Sequence, residues 1–268
     1  FDTSDPKALY DRQGFISPID AFDPAQAAEW RQALEALEAE HGGAGSLKGT
    51  IWQFRPHVHA PWAARLVRRP EILDQVERLI GPDILVYHLT IWIKEPHTPS
   101  YVSWHQDSTY FGLSPFEHVT AWVALTDASE AMGCMRMIPG SHDRGEAVLD
   151  EIRGDENLLL RAGQVVTVDE EKETVTPLPL RAGQFSLHHT LTLHSSGPND
   201  TDERRIGLGI SYIPAHCRCT VSQRVNATLV RGEDRFGHFD LEPAPDSADP
   251  LSARRQHAES LRRWNAMR

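Results

Sequence analysis

Cysteine is scarce in this chain. Its three residues, Cys134, Cys217 and Cys219, are an odd number without framework spacing, which excludes a disulfide-stapled scaffold and points to a reducing compartment. No apolar run approaches the roughly 20 residues of a membrane span. Positive charge is in deficit, with 27 Lys and Arg against 38 Asp and Glu and a formal net charge of -11. A nucleic-acid or anionic-membrane partner would need a basic face, so neither is expected. No Gly/Ser- or Pro-rich linker divides the 268 residues, which read as a single domain long enough for a substantial core. A signal-peptide pattern is also missing, and the expected compartment is the cytoplasm.

What is present falls into two textures. Residues 1 to 82 read as a helical flank. Ser4 can cap a first helix that has Pro6 in its first turn and ends at Gly14. Asp23-Pro24 opens a second, with Trp30, Leu34 and Leu37 on one face, before His41-Gly42-Gly43 stops it. A third follows Pro70, with Ile72, Val76, Leu79 and Ile80 on its buried stripe and Gly81-Pro82 at its end. His41, His57 and His59 lie here without companion ligands and read as surface or capping histidines.

From Ile84 the pattern is that of strands. Ile84 to Lys94 is β-branched and aromatic, with His88, Thr90, Trp92 and Lys94 on one face and Leu89, Ile91 and Ile93 on the other. Such a strand suits a barrel wall lining a ligand cavity, and equally a solvated sheet face. Further strands are expected around His105, over His118 to Thr126, and over Gly133 to Ile138 before the Pro139-Gly140 turn. Others are expected over Gln184 to Leu193, Arg204 to Ile213 and Arg218 to Val230. Residues 143 to 182, polar and acid-rich, form a lid-like insertion with a short strand pair. The echoes Leu160-Arg-Ala-Gly163 and Leu180-Arg-Ala-Gly183 read as turns entering strands. Residues 214 to 268 supply a last strand and a terminal helix over Leu251 to Met267. Many short strands after a helical start, without βαβ alternation, argue for a β-barrel or sandwich carrying helices outside.

Chemistry concentrates in two segments. In Trp104-His105-Gln106-Asp107, an imidazole and a carboxylate stand two residues apart and point into the same space if they share a strand. His194 offers a third ligand downstream. Two His and one carboxylate on one face of a metal are the arrangement of non-heme Fe(II) oxygenases, although the spacing alone also fits a surface pair and a capped loop histidine. Ser196 follows His194 by two residues and Arg205 by eleven. A hairpin can return Arg205 to the same cavity, where guanidinium and hydroxyl suit a carboxylate. Arg204 is the rival, but alternation sends it outward. A metal, an Arg and a Ser converging in this way form a receptor for a 2-oxo acid.

With these residues in place, the chain resembles the phytanoyl-CoA dioxygenase family of Fe(II)- and 2-oxoglutarate-dependent oxygenases. Trp104-His105-Gln106-Asp107 with Tyr110-Phe111 and Pro115, Ala121-Trp122, and Gly133-Cys134 with Pro139-Gly140-Ser141-His142 carry the resemblance. His194-Ser195-Ser196-Gly197 with Arg205 completes it, over roughly residues 84 to 213. It implies a mainly β fold with flanking α: a double-stranded β-helix (jelly roll, cupin-like) core over 83 to 213, with the N-terminal helical region packed outside. It implies iron on His105, Asp107 and His194, with 2-oxoglutarate on Arg205 and Ser196. By position, Thr90 and Trp122 join the co-substrate, core packing being the other reading of Trp122. O2 is the second co-substrate. Because Asp107 fills the position that halogenating relatives vacate, the expected reaction is hydroxylation of an aliphatic C–H with release of succinate and CO2. His142 is not a family ligand and reads as structural.

The substrate is expected to be a small polar or anionic metabolite, since no basic cluster suits the several phosphates of coenzyme A. Arg136 can anchor an anionic group or face outward onto an acid. Tyr110, His88 and His189 are further candidates, the two histidines also reading as packed structural residues. The competing classes are a cupin-like metal dioxygenase using no 2-oxo acid, which would not need the Arg205/Ser196 pair, and a non-catalytic binding jelly roll.

Overall fold

The computed structural model describes residues 5–151, 156–159, 164–221, 224–246 and 248–266. Helix α1 (Pro6–Gln13) is capped by Asp5, whose carboxylate accepts the Lys7 N–H; Ser4, the expected cap, lies outside the described residues. Gly14 ends the helix in the left-handed region at φ 85. The chain then departs from the expected all-helical start, because Phe15–Asp20 is a strand, β1. Its apolar residues serve both faces: Phe15 joins the cluster between the sheets and Ile16 the cluster under the helices. Six residues between a helix stop and the next cap carry no clear period, so pairing with a distant strand decides their state.

Helices α2 (Pro24–Glu40), α3 (Pro61–Leu66) and α4 (Pro70–Ile80) follow. Asp23 and Gln26 close α2 with a reciprocal capping box. The strands of the two main sheets are β2 (Ile84–Lys94), β3 (Val102–His105), β4 (Val119–Ala124), β5 (Met135–Met137), β6 (Thr176–Leu178), β7 (Gln184–His189), β8 (His194–Ser196), β9 (Arg205–Pro214), β10 (Asn226–Arg231) and β11 (Asp240–Leu241). Helix α5 (Ser108–Phe111) follows β3, and α6 (Pro250–Asn265) closes the chain.

A seven-stranded sheet runs β1-β7-β4-β9-β2-β10-β11, and a four-stranded sheet runs β3-β8-β5-β6. The two face each other as a double-stranded β-helix. Strand parity assigns each residue its layer. Val119, Ala121 and Val123 of β4 turn outward under Leu34, Leu66, Ile72 and Val76 of the helices. Trp122 and Ala124 turn inward to meet Met135, Met137 and Leu178 of the smaller sheet. Each fully buried Leu, Ile or Met contributes ~1.5–3 kcal/mol, and the outer helices thereby hold one wall of the interior rigid.

Two further expectations change. The strand anticipated over Arg218 to Val230 is two pieces, Arg218–Cys219 pairing with Leu113–Ser114, and then β10. The insertion over 143 to 182 contains its short strand pair, but its end, β6, belongs to the core sheet. Its start is fastened to the turn after β3, with Gln106 bonded to the Gly145 carbonyl and the Ala147 N–H. Leu160 to Gly163 lies outside the described residues, whereas Leu180 to Gly183 does turn into β7, with Gly183 at φ 90. Among the described residues, no helix is long and apolar enough to cross a membrane.

Candidate active site

His105 closes β3 and His194 opens β8, and the two are direct cross-strand partners with ring centroids 4.0 Å apart. Asp107 does not continue the strand. Its backbone is already helical (φ -62, ψ -33) at the entrance to α5, and the carboxylate reaches the imidazoles from that turn. Asp107 Oδ1 lies 3.8 Å from His105 Nε2 and 3.7 Å from His194 Nε2. One ligand atom from each residue falls within 4.8 Å of the others, the span of a single metal ion. His105 Nδ1 donates to the Ser103 carbonyl at 2.8 Å and His194 Nδ1 to the Thr192 carbonyl at 2.9 Å. Those bonds fix the tautomer that leaves both Nε2 lone pairs for a metal. Burial holds both imidazoles neutral by pulling their pKa values down.

The second carboxylate oxygen is otherwise engaged. Asp107 Oδ2 accepts Thr120 Oγ1–H at 2.5 Å and His188 Nε2–H at 3.1 Å. His118 Nε2 donates in turn to Thr120 Oγ1, and Thr190 Oγ1 to His118 Nδ1. Burial alone would raise the Asp107 pKa, but His194 and the His188 bond override it and hold the carboxyl well below its usual range. One oxygen is thus directed at the metal position and the other is tied to the wall. Thr120→Val keeps the shape and removes one tie. It is expected to weaken Fe(II) binding about 10–100-fold, read by anaerobic titration with the metal.

A second feature adjoins the triad. Lys94 ends β2 opposite Arg205 at the start of β9. Their residue exposures are 0% and 2%, and among the described residues neither has an ion pair with a carboxylate. Arg205 donates to the Gly133 carbonyl at 2.6 Å, leaves its Nε–H without a partner, and lies 5.1 Å over the Trp122 ring. Lys94 Nζ donates to Ser196 Oγ at 2.7 Å and to the Gly197 carbonyl. Burial, then Arg205, brings the Lys94 pKa down to about 6, and burial brings Arg205 down to about 10. A buried guanidinium with an orphaned N–H, beside a buried amine, is what a carboxylate ligand would satisfy. Room for it depends on glycine: a Cβ at Gly207 would stand 2.2 Å from the Trp122 ring, and one at Gly209 2.9 Å from the Trp92 indole nitrogen.

The family model described as phytanoyl-CoA dioxygenase (PhyH) matches residues 10–207. The chain belongs to this family. Its His105, Asp107 and His194 cluster is the ligand set expected of an Fe(II)- and 2-oxoglutarate-dependent member of that family. It is 32% identical to the solved non-heme monooxygenase ThoJ, with a TM-score of 0.83 over 98% of this chain and 97% of that one. It is 30% identical over 162 residues to a protein of Stutzerimonas stutzeri described as a probable alpha-ketoglutarate-dependent hypophosphite dioxygenase, covering 60% of this chain and 56% of the relative. The chain therefore spans little more than half of that relative. A further match, 25% identical over 245 residues, is the L-proline trans-4-hydroxylase of Streptomyces griseoviridis, covering 79% and 88%.

In this phytanoyl-CoA dioxygenase family member, the cavity encloses about 450 Å³ of non-atom space, its open mouth included. Trp92, Val102, Trp122 and Met135 line it beside the triad, together with Arg205 and Ser196. Thr90 shares the inward face of β2 and is buried, but sits outside the cavity lining. Tyr110 abuts the metal ligands, its ring edge-on to His105 at 5.8 Å. The other three substrate candidates lie elsewhere. Arg136 sits between inward Met135 and Met137, faces outward over Trp104 and pairs with Glu170 at 3.0 Å. His88 stacks on Trp264 at 4.3 Å. His189 accepts the Leu191 N–H and packs on His142. His142 is structural, bonding the Asp11 carbonyl. Arg204 turns outward as alternation requires, onto Glu38 and Glu95. His41 bonds the Leu37 carbonyl at the end of α2, but His57 and His59 are buried rather than surface residues, with His59 packed on Trp52 and His257. His118, Thr120, His188 and Lys94 went unassigned as site residues. For the first two the available signal was the alternation His118-Val-Thr120-Ala-Trp122, which sets Thr120 and Trp122 inward on β4 with His118 just ahead of it.

Proposed function

We propose that this oxygenase hydroxylates an aliphatic C–H of a small polar or anionic metabolite, with release of succinate and CO2. In this reading, His105, Asp107 and His194 hold the iron, and Arg205 and Ser196 bind the distal carboxylate of 2-oxoglutarate over Trp122. The observation that carries it is the opening of the triad, of Ser196 and of the buried, carboxylate-free guanidinium of Arg205 onto one cavity, with Lys94 behind Ser196. A dioxygenase without a 2-oxo acid would have no use for that pair. When bound, iron and 2-oxoglutarate supply from O2 the oxidising power that C–H cleavage requires. The protein's own part is to present three ligands with fixed tautomers, to keep one oxygen of Asp107 away from the metal, and to exclude water with Trp92, Val102 and Met135.

The cavity size and the match to an L-proline hydroxylase support a small substrate. With Arg136 paired to Glu170, no cation besides Arg205 lines the cavity among the described residues, and the polar end of the range fits best. Adding Fe(II) and then 2-oxoglutarate to the metal-free protein without oxygen is expected to raise a visible metal-to-ligand charge-transfer band. Arg205→Ala is expected to weaken 2-oxoglutarate binding by about 2–5 kcal/mol, read as a rightward shift of the band titration. A band of unchanged affinity in that variant would refute the assignment of Arg205.

A further inference from the structure

Lys94 is a poor structural lysine. Its ammonium would sit in a dry wall opposite a guanidinium, where directly paired strand residues have Cβ atoms only ~4.5–5.5 Å apart. Among the described residues no carboxylate pairs with either group. The groups that act on it are Arg205 on β9, Arg136 on β5 and Cys134 just before β5; Glu95, next in sequence, turns away to Arg204. The hydrogen-bond count is also telling. A neutral amine has two N–H bonds, and Lys94 Nζ has two acceptors, Ser196 Oγ and the Gly197 carbonyl. An ammonium has three, and Lys94 stands behind the cavity lining, where Ser196, to which it is bonded, and Arg205 with its orphaned Nε–H face the cavity.

We propose that Lys94 is the second cation of the clamp for the distal carboxylate of 2-oxoglutarate, and that it takes up one proton from solvent as the carboxylate enters. The inference rests on the placement of 2-oxoglutarate in this cavity. In the empty site Lys94 is an uncharged amine that shares Ser196 without repelling Arg205. The arriving carboxylate accepts from both Arg205 and the newly formed third N–H of Lys94, and the balance is one amine, one proton and one carboxylate giving an ammonium–carboxylate pair. Burial and Arg205 hold the free amine's pKa to about 6, while the ligand's negative charge raises it. Between those two values binding consumes a proton, so affinity falls as pH rises. Below about pH 6 Lys94 is already charged, and the dependence disappears.

The test is anaerobic calorimetry of the Fe(II)-loaded protein with 2-oxoglutarate at pH 8, in two buffers of different ionisation heat, with the charge-transfer band followed in parallel from pH 6 to 8. The wild type is expected to take up about one proton and to lose about tenfold in affinity per pH unit. Lys94→Met, which keeps the alkyl stem, is expected to bind more weakly, with no proton uptake and a flat profile. Equal heats in the two buffers for the wild type, or uptake that persists in Lys94→Met, would overturn the role of Lys94 while the band upholds the co-substrate site. A failure of the band to form on the iron-loaded wild type would overturn both. The wild-type stoichiometry decides the matter even if the variant does not fold.

Discussion

Asp107→Ala is expected to abolish turnover and to weaken Fe(II) binding by more than the ~10–100-fold that follows loss of an outer partner. The magnitude follows from the composition of the site. His105 and His194 bind as neutral imidazoles, so Asp107 supplies the only negative charge among the three ligands. Its removal also leaves Thr120 Oγ1 and His188 Nε2 without their acceptor, at a cost of about 1–3 kcal/mol for each buried group. Asp107→Asn separates the two effects, since it retains an acceptor oxygen but not the charge. Both variants are to be titrated with Fe(II), then with 2-oxoglutarate, and assayed for succinate. Near-native iron affinity in Asp107→Ala would mean that the carboxylate is not a ligand and that the triad is misassigned.

The largest effect on stability is expected from a residue remote from the iron. Arg55 is 1% exposed, with a left-handed backbone at φ 52, and its guanidinium is satisfied on three sides. It donates to Glu242 Oε2 at 2.5 Å, to Ser260 Oγ of α6 at 2.8 Å and to the Tyr87 carbonyl of β2. Thr228 of β10 donates to the same Oε2 at 3.1 Å, while Oε1 is buried without a partner. Removing one partner of a buried pair leaves an uncompensated charge, so Glu242→Ala is expected to cost about 3–5 kcal/mol. For a chain of this size that lowers Tm by roughly 6–15 °C, measurable by thermal or urea unfolding. Replacing both partners with apolar residues, Arg55→Met with Glu242→Leu, is expected to recover most of the loss, because the desolvation penalty then vanishes with the charges. A loss below about 1 kcal/mol in Glu242→Ala would show that water reaches this pair.

The parts of the molecule legible in the sequence are those whose signals are local. Strand β2 could be bounded from Ile84 to Lys94 because a β-branched and aromatic start passes into alternation from His88 to Lys94 and Gly81-Pro82 precedes it. Helices α2 and α4 announce themselves through Asp23-Pro24 and Pro70. His105, Asp107, His194, Ser196 and Arg205 were readable as a set once their order was combined with family resemblance. What stayed hidden depends on register between distant strands. Lys94 and Arg205 are 111 positions apart in number, and only the β2–β9 pairing sets them side by side. His188 and Thr120 meet Asp107 from strands 81 and 13 residues away. The candidacy of Arg136 failed on parity alone, since one step along β5 exchanges the cavity for the outer surface. Strand β1 was missed because six residues cannot display a period, and its partner β7 lies in another part of the chain.

His105 and His194 belong to the four-stranded sheet, whereas Lys94 and Arg205 belong to the seven-stranded one. In the proposed reading the iron ligands and Arg205 are therefore mounted on opposing walls, with Ser196 reaching across from the iron side, and the gap between those walls works as a gauge for the carbon chain that must bridge them. Facing sheets keep a separation of ~10 Å through the side chains between them. Here those include Phe15, Leu178 and Leu180, which belong to the inter-sheet cluster but not to the cavity lining. Which length of 2-oxo acid fits is in this sense a property of the packed interior, written in residues that never touch the acid.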